Sequence, residues 1–341
     1  MVLPIIDLVP FLHGGHEQKR KVAEEVNAAC CDTGFLIVVN HEVDPALPDR
    51  VFELAYQFFN QPFDEKRKVE KYEGSGPAGY HMFATQSNGL AYRNIQSKAD
   101  LLKIFPDLRE SFGISPERNG FNQWPAHPPG FRDVCLEYYG RLEKLAFSMI
   151  DLFTMALELP EHYFDRMIDR HDSTMLLHHY PAQRDDPADG QLRSSPHTDL
   201  GMFTLLRHER EHRGGLQLKT KSGDWMDVPQ IENAFVVNIA DTMQQWTNDM
   251  WKSTFHRVLN PPRDASGMTK PRIGLPFFFN VNQDALLECL PSCCGPDNPP
   301  KYAPIIAGDY RRARSKKTHE FLKMKKEAEA EAKAAAEAAG A

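Results

Sequence analysis

The chain has 341 residues, 41% hydrophobic and 26% charged, enough for one large globular unit or two ordinary ones and too balanced for a disordered chain or a coiled-coil rod. The 40 Lys and Arg against 47 Asp and Glu give a net charge of -7, so nothing attracts nucleic-acid phosphates generally, and no local basic patch of that kind appears. No apolar run approaches the roughly 20 residues that span a bilayer. Residues 1–12 (MVLPIIDLVPFL) carry Asp7 and two prolines without a basic leader, and read as an edge strand, not a signal peptide. Glu17 to Cys31 repeats apolar residues at helical spacing and ends at Thr33–Gly34. Phe35 to Asn40 (FLIVVN) is a buried strand by its β-branched content. Asp44 to Asn60 predicts an amphipathic helix, and Phe63 to Lys71 a charged helix or turn. Residues 72–125, rich in Gly, Asn and aromatics, predict loop with short elements. Phe131 to Leu159 is the longest helical pattern in the body of the chain, and Pro160 stops it.

From Thr174 the period changes. Short β-rich runs follow one another with turns between: MLLHHY, MFTLL, GLQLKT, WMDV, AFVVNIA, STFHRVL and PRIGLPFFFN. Helices first and strands second predict an α+β chain, with a helical half around an antiparallel sandwich or barrel. The Lys-, Glu- and Ala-rich tail from Lys316 is expected to be helical and to stand out in solvent. Six cysteines, including the adjacent pairs Cys30–Cys31 and Cys293–Cys294, suit reduced thiols in the cytoplasm better than a disulfide framework.

Two patterns imitate known motifs. Gly74 to Gly79 satisfies GxGxxG, but it follows a charged stretch and contains Pro77, whereas a dinucleotide loop follows a buried strand and opens a helix. His208 to His212 satisfies HExxH without the apolar positions that would pack such a helix, and reads as a solvent-facing hairpin loop.

The chemistry lies in SSPHTDLGMFTLL. His197 and Asp199 are two residues apart, and on a strand such positions share a face, so both can reach one ion. His256, in STFHRVL, supplies a second imidazole. Two histidines and one carboxylate on one side of a metal form the facial triad of non-haem Fe(II) oxygenases, which leaves three coordination positions open. Arg272 opens the next strand-like run, and its guanidinium can hold a carboxylate in bidentate fashion. His178 and His179 read as hydrogen-bonded strand residues rather than as further ligands.

Together with these landmarks, the sequence resembles the iron(II)/2-oxoglutarate-dependent dioxygenases of the isopenicillin-N-synthase-like type, from about residue 3 to about residue 312. LPIIDL looks like the family's opening strand. DTGFLIVVNHEV resembles its next segment, with Glu42 where glycine is usual, and FFNQPFDEKRKV, DLRESF, HHYPAQ and PHTDLGMFTLL follow in the family's order. The resemblance implies a mainly β core, a double-stranded β-helix (jelly roll) wrapped by N-terminal and C-terminal helices. It divides the chain into an N-terminal dioxygenase region (1–125), a helix and jelly-roll core (126–312) and a helical tail (313–341). It makes His197, Asp199 and His256 the iron ligands, Arg272 the anchor for the distal carboxylate of 2-oxoglutarate, and Tyr180 a hydrogen-bond partner of that co-substrate. Gly274 departs from the family pattern, which has serine two residues after the arginine. Family position suggests Tyr80, Phe112, Phe203 and Phe278 for the substrate pocket. The cofactors implied are Fe(II), 2-oxoglutarate and dioxygen, with ascorbate as a reductant. The expected protein is a cytoplasmic monomer of secondary metabolism that oxidises a C–H bond of a small molecule, with no nucleic-acid or membrane partner. Gly274 also keeps open an oxidase that uses no 2-oxoglutarate, and a binding protein on the same fold is the alternative of another class.

Overall fold

The computed structural model describes residues 2–92, 97–210 and 214–339. The opening strand is shorter than the sequence suggests. β1 covers Ile5–Asp7, and the chain turns at once into α1 (Val9–His13), where Pro10 sits in the first turn at no hydrogen-bond cost. Then come α2 (His16–Asp32), β2 (Phe35–Val39), α3 (Ala46–Phe59) and α4 (Phe63–Arg67), as the periodicity predicts. Gly34 makes the turn into β2 with φ 68°, and a Cβ there would lie 1.8 Å from the Lys252 carbonyl oxygen, so no other residue fits. Glu42 also has a left-handed backbone, φ 61°, which explains why glycine is the usual residue at this place.

Residues 72–125 contain β3 (Gly79–His81), α5 (Lys98–Leu102) and β4 (Glu110–Ile114). The GxGxxG stretch is a turn that leads into β3, not into a helix. The long helix is α6 (Phe131–Ala156), followed by α7 (Asp165–Ile168). The β-rich half forms β5 (Thr174–Tyr180), β6 (Ser194–His197), β7 (Phe203–His208), β8 (Leu216–Lys219) and β9 (Trp225–Asp227). It continues with β10 (Phe235–Ile239), α8 (Asp241–Trp246), β11 (His256–Val258) and β12 (Arg272–Phe279). In the HExxH stretch, His208 is the last residue of β7 and pairs with β12, so it belongs to the sheet and not to a solvent loop; His212 lies outside the described residues.

The larger sheet runs β1-β2-β10-β7-β12-β5-β4-β3, and the smaller β6-β11-β8-β9. Apart from the parallel β1–β2 pair, the ladders are antiparallel. Phe35, Tyr180, Leu216, Val236 and Val258, drawn from both sheets, share one apolar interior. The sheets therefore face each other as a jelly roll, and α2, α3 and α6 cover the outer face of the larger one through the main core. The architecture is α+β with a mainly β centre, as expected. Alternation sets what each strand offers. On β5, β7 and β12, Met175, Leu177, Phe203, Leu205, Phe277 and Phe279 point to the helices and are fully buried, while the intervening residues face the smaller sheet.

The tail departs from expectation. The last helix, α9 (Ala307–Ala339), starts ahead of residue 313 and is docked: Phe321 and Leu322 pack on Leu90, Leu101 and Ile104. It is part of the wall, not an appendage.

Candidate metal centre

Where the two sheets face each other, residues from both, from the Asn88–Tyr92 turn and from α9 enclose a cavity of about 440 Å³. His197 ends β6 and stands in register with His256 on β11, so the rings meet across the ladder with centroids 4.3 Å apart. Asp199 lies beyond the end of β6, in the turn toward β7, and so does not reach the histidines by strand alternation. The turn brings it there instead. Its Oδ1 is 3.7 Å from the Nε2 atoms of both His197 and His256. Gly201 allows the turn to press against β12, where a Cβ would come within 2.6 Å of the Phe279 carbonyl oxygen. Among the described residues this trio is the one group of three metal-ligating side chains, with donor atoms all within 4.8 Å of one another.

The surroundings fix each ligand. His197 Nδ1 donates to the Ser195 carbonyl at 2.8 Å and His256 Nδ1 to the Thr254 carbonyl at 3.1 Å, which turns both Nε2 lone pairs toward the ion position, that of His197 also facing Asn88 Nδ2 at 3.2 Å. Asp199 Oδ2 accepts from Thr204 Oγ1 at 2.6 Å and Asn238 Nδ2 at 2.8 Å, so Oδ1 remains to bind. Burial, and then the neighbouring His256, bring the His197 pKa down to about 3, the neutral state a metal needs. Burial alone would raise Asp199, but the two imidazoles and the Thr204 and Asn238 hydrogen bonds outweigh it and hold the carboxyl below its usual range. Two imidazoles and one carboxylate, with cavity on the remaining side, fit an Fe(II) ion that keeps positions open.

Arg272, the first residue of β12, lines the same cavity. Its guanidinium lies over the Tyr180 ring at 4.8 Å, directly across the ladder, and donates to the Gly214 carbonyl at 2.7 Å. Burial lowers its pKa, and a guanidinium keeps its charge even so. At Gly274 an added Cβ would meet only Leu206 Cδ1, at 3.9 Å, so the wall beside Arg272 is open where the family's serine would stand. A buried cation facing the triad across a cavity of this size fits a dicarboxylate that spans the two.

Of the four expected pocket aromatics, only Phe278 lines the cavity. Phe203 pairs with Phe279 rather than Phe278 and packs on Phe153 in the core. Phe112 packs among Phe58, Trp124 and Phe131. Tyr80 donates to Glu110 Oε2 at 2.5 Å, in a buried network with Lys66 and His179. His178 and His179 bond to Ser111 and Glu110, as expected of strand residues, and His178 also lines the cavity. Sequence reading missed Asn88, Arg109, Thr204, Asn238, Arg311 and Arg314. For Asn238 a signal existed, as the one polar residue in the apolar run AFVVNIA.

Residues 171–281 match the model of the 2OG-Fe(II) oxygenase superfamily, and residues 3–127 that of the N-terminal region of non-haem dioxygenases in morphine synthesis. The chain is 33% identical to the 2-oxoglutarate-Fe(II) type oxidoreductase hxnY of Emericella nidulans, over 93% of this chain and 90% of that protein. It is 34% identical to the 2-oxoglutarate-dependent dioxygenase citB of Monascus ruber, over 84% and 87% of the two chains. The crystal structure of a full-length Neurospora crassa protein in complex with alpha-KG superposes with a TM-score of 0.81 at 30% identity, covering 92% of this chain and 95% of that one. The chain belongs to the 2-oxoglutarate/Fe(II) oxygenase superfamily. It is a non-haem dioxygenase, whose cofactors are Fe(II) and 2-oxoglutarate.

Proposed function

We propose that His197, Asp199 and His256 hold the Fe(II), that Arg272 and Tyr180 receive the far carboxylate of 2-oxoglutarate, and that the enzyme oxidises an unactivated C–H bond of a small molecule. The observation that carries this reading is the convergence of three ligand atoms beside a buried arginine in one cavity. When bound, iron and 2-oxoglutarate supply the oxidising chemistry, consuming dioxygen and releasing succinate and carbon dioxide.

The chain's own residues do the rest. The Ser195 and Thr254 carbonyls lock both histidine rings in the binding tautomer. Thr204 and Asn238 hold the Asp199 carboxylate in one orientation, so the site is assembled before an ion arrives. Arg272 and Tyr180 fix where the co-substrate's tail sits, and therefore which way its reactive end points. Leu206, Leu216, Val258 and Phe278 line the wall with apolar surface, which favours an apolar substrate body over water beside the oxidising centre. A net charge of -7 and a largely apolar pocket support a small-molecule substrate, and the protein acts as a cytoplasmic monomer in this reading.

Oxygen uptake and succinate release, measured with Fe(II) in the presence and absence of 2-oxoglutarate, test the assignment. Succinate should form only with both. Arg272→Gln should raise the KM for 2-oxoglutarate by about tenfold or more while iron still binds, since it removes a charge-assisted pair. Oxygen uptake without 2-oxoglutarate would sink the reading in favour of the oxidase that Gly274 suggests. Iron binding without any turnover would leave a binding protein.

A further inference from the structure

The half of the cavity away from Arg272 has no assigned task, and its charge is one-sided. Among the described lining residues, four are guanidinium groups (Arg109, Arg272, Arg311 and Arg314) and one is a carboxylate, Asp199. Arg311 has Asp172 at 3.4 Å behind it, and Arg314 has Asp241 at 3.5 Å. Arg109 differs. It is 5% exposed, and its nearest carboxylate, Asp107, is 3.9 Å away. Both Asp107 oxygens already accept backbone N–H groups, from Asn88 and Ser195, each at 2.9 Å. The acceptors that Arg109 does reach are neutral: Asn88 Oδ1 at 2.6 Å, Ser194 Oγ at 3.3 Å and Gln86 Oε1 at 3.4 Å. Its Nε has no hydrogen-bond partner among the described residues. A buried cation whose carboxylate stands off at 3.9 Å is only partly compensated, and a closer anion would stabilise it.

Its place is as telling as its charge. Asn88, which accepts from Arg109, puts its own Nδ2 3.2 Å from His197 Nε2, the atom that faces the metal position. Arg109 is thus one side chain removed from the metal, on a wall that neither the iron nor the co-substrate needs. A divalent iron with Asp199, and dianionic 2-oxoglutarate with Arg272, balance to neutrality, while Arg311, Arg314 and Arg109 each have a carboxylate, at 3.4, 3.5 and 3.9 Å. Of these three, Arg109 has the loosest counter-charge, and it is the one beside the metal position.

We infer that the substrate is a small molecule carrying one carboxylate, and that Arg109 receives this group next to the metal position. The inference deepens the dioxygenase reading and rests on it. Arg109 then sets the specificity: a charge-assisted hydrogen bond from its guanidinium to the acid places carbons a few bonds from the carboxylate within reach of oxidation. The same cavity also holds iron and 2-oxoglutarate within about 440 Å³, so the acid is compact, a ring or short chain with apolar surface toward Val258 and Phe278.

The test uses the full chain loaded with Fe(II) and saturating 2-oxoglutarate, without oxygen, titrated calorimetrically with matched probes. These are benzoate, cyclohexanecarboxylate and hexanoate, each beside its primary amide. Each acid should bind about tenfold or more tightly than its amide, the difference expected of a hydrogen-bonded charge. In Arg109→Gln the preference should collapse, in Arg109→Lys part of it should survive, and in Arg311→Gln it should stay. Equal binding of acids and amides by the wild type overturns the inference without any variant, so a variant that fails to fold does not rescue it. So does a preference that survives in Arg109→Gln, or acids that bind only by displacing 2-oxoglutarate, since those sit at Arg272. Succinate formation by the wild type is measured first. Its absence sinks the dioxygenase reading, whereas its presence with no acid preference sinks only the role of Arg109.

Discussion

The two faces of the larger sheet are built from the same strands and obey opposite rules. Toward the helices, β5, β7 and β12 present Leu177, Leu205, Phe203, Phe277 and Phe279, packed with nothing left to bind. Toward the smaller sheet, alternate residues of those strands present His178, Tyr180, Thr204, Arg272 and Gly274. A step of one residue separates the positions that hold the fold from those that hold ligands. Chemistry and stability can therefore be perturbed separately, and the predictions exploit that.

The largest effect is expected on the cavity face. His197→Ala should abolish iron binding and turnover, while the melting temperature of the metal-free protein stays close to wild type. A variant that still binds iron and turns over would remove His197 from the centre. On the helix face, Phe203→Ala should destabilise the fold by about 3–5 kcal/mol by opening a cavity among Phe153 and Phe279, visible as a lower urea midpoint. Turnover per folded molecule should change little, and a selective loss of activity would erase the distinction between the faces.

Glu110 tests the polar exception on the packed face. Burial pushes its carboxyl up, but hydrogen bonds from His179, Lys66 and Tyr80 outweigh this and lower its pKa. The carboxylate therefore contributes stability that is present above the unfolded value near 4.5 and is lost as pH falls below it. Glu110→Gln should cost about 3 kcal/mol at pH 7, because it leaves the Lys66 ammonium buried without its charge partner. The gap between variant and wild type in melting temperature should narrow as pH is lowered through that range. A gap independent of pH would count against the ionised pair.

The smallest effect is expected from Gly274→Ser. The open space there accepts the side chain, so stability should hold, and the restored hydroxyl should tighten 2-oxoglutarate binding severalfold. Weaker binding would mean that His178 and His208, which flank Gly274 across the ladders, already fill that role.

Much of the site could be read in the chain because the metal chemistry is local. His197 and Asp199 are close in sequence, and His256 and Arg272 sit in β-rich runs that any period-2 reading finds. The aromatics were harder. The turn at Asp199 breaks the phase between β6 and β7, so the face of Phe203 cannot be counted from His197; the register with Phe279 decides it. Asn88 and Arg109 come from a stretch without periodicity, and Arg311 and Arg314 from a charged helix whose docking depends on contacts some two hundred residues apart in sequence, at Leu90, Leu101 and Ile104. Long-range packing is what one sequence shows least.

Because α9 carries Arg311, Arg314 and Ser315 into the cavity, it completes a wall begun near Asn88. The proposed iron ligands and this side of the pocket thus come from separate stretches of the chain. Substitutions at Arg311, Arg314 or Ser315 would therefore reshape the wall of the cavity without touching His197, Asp199 or His256.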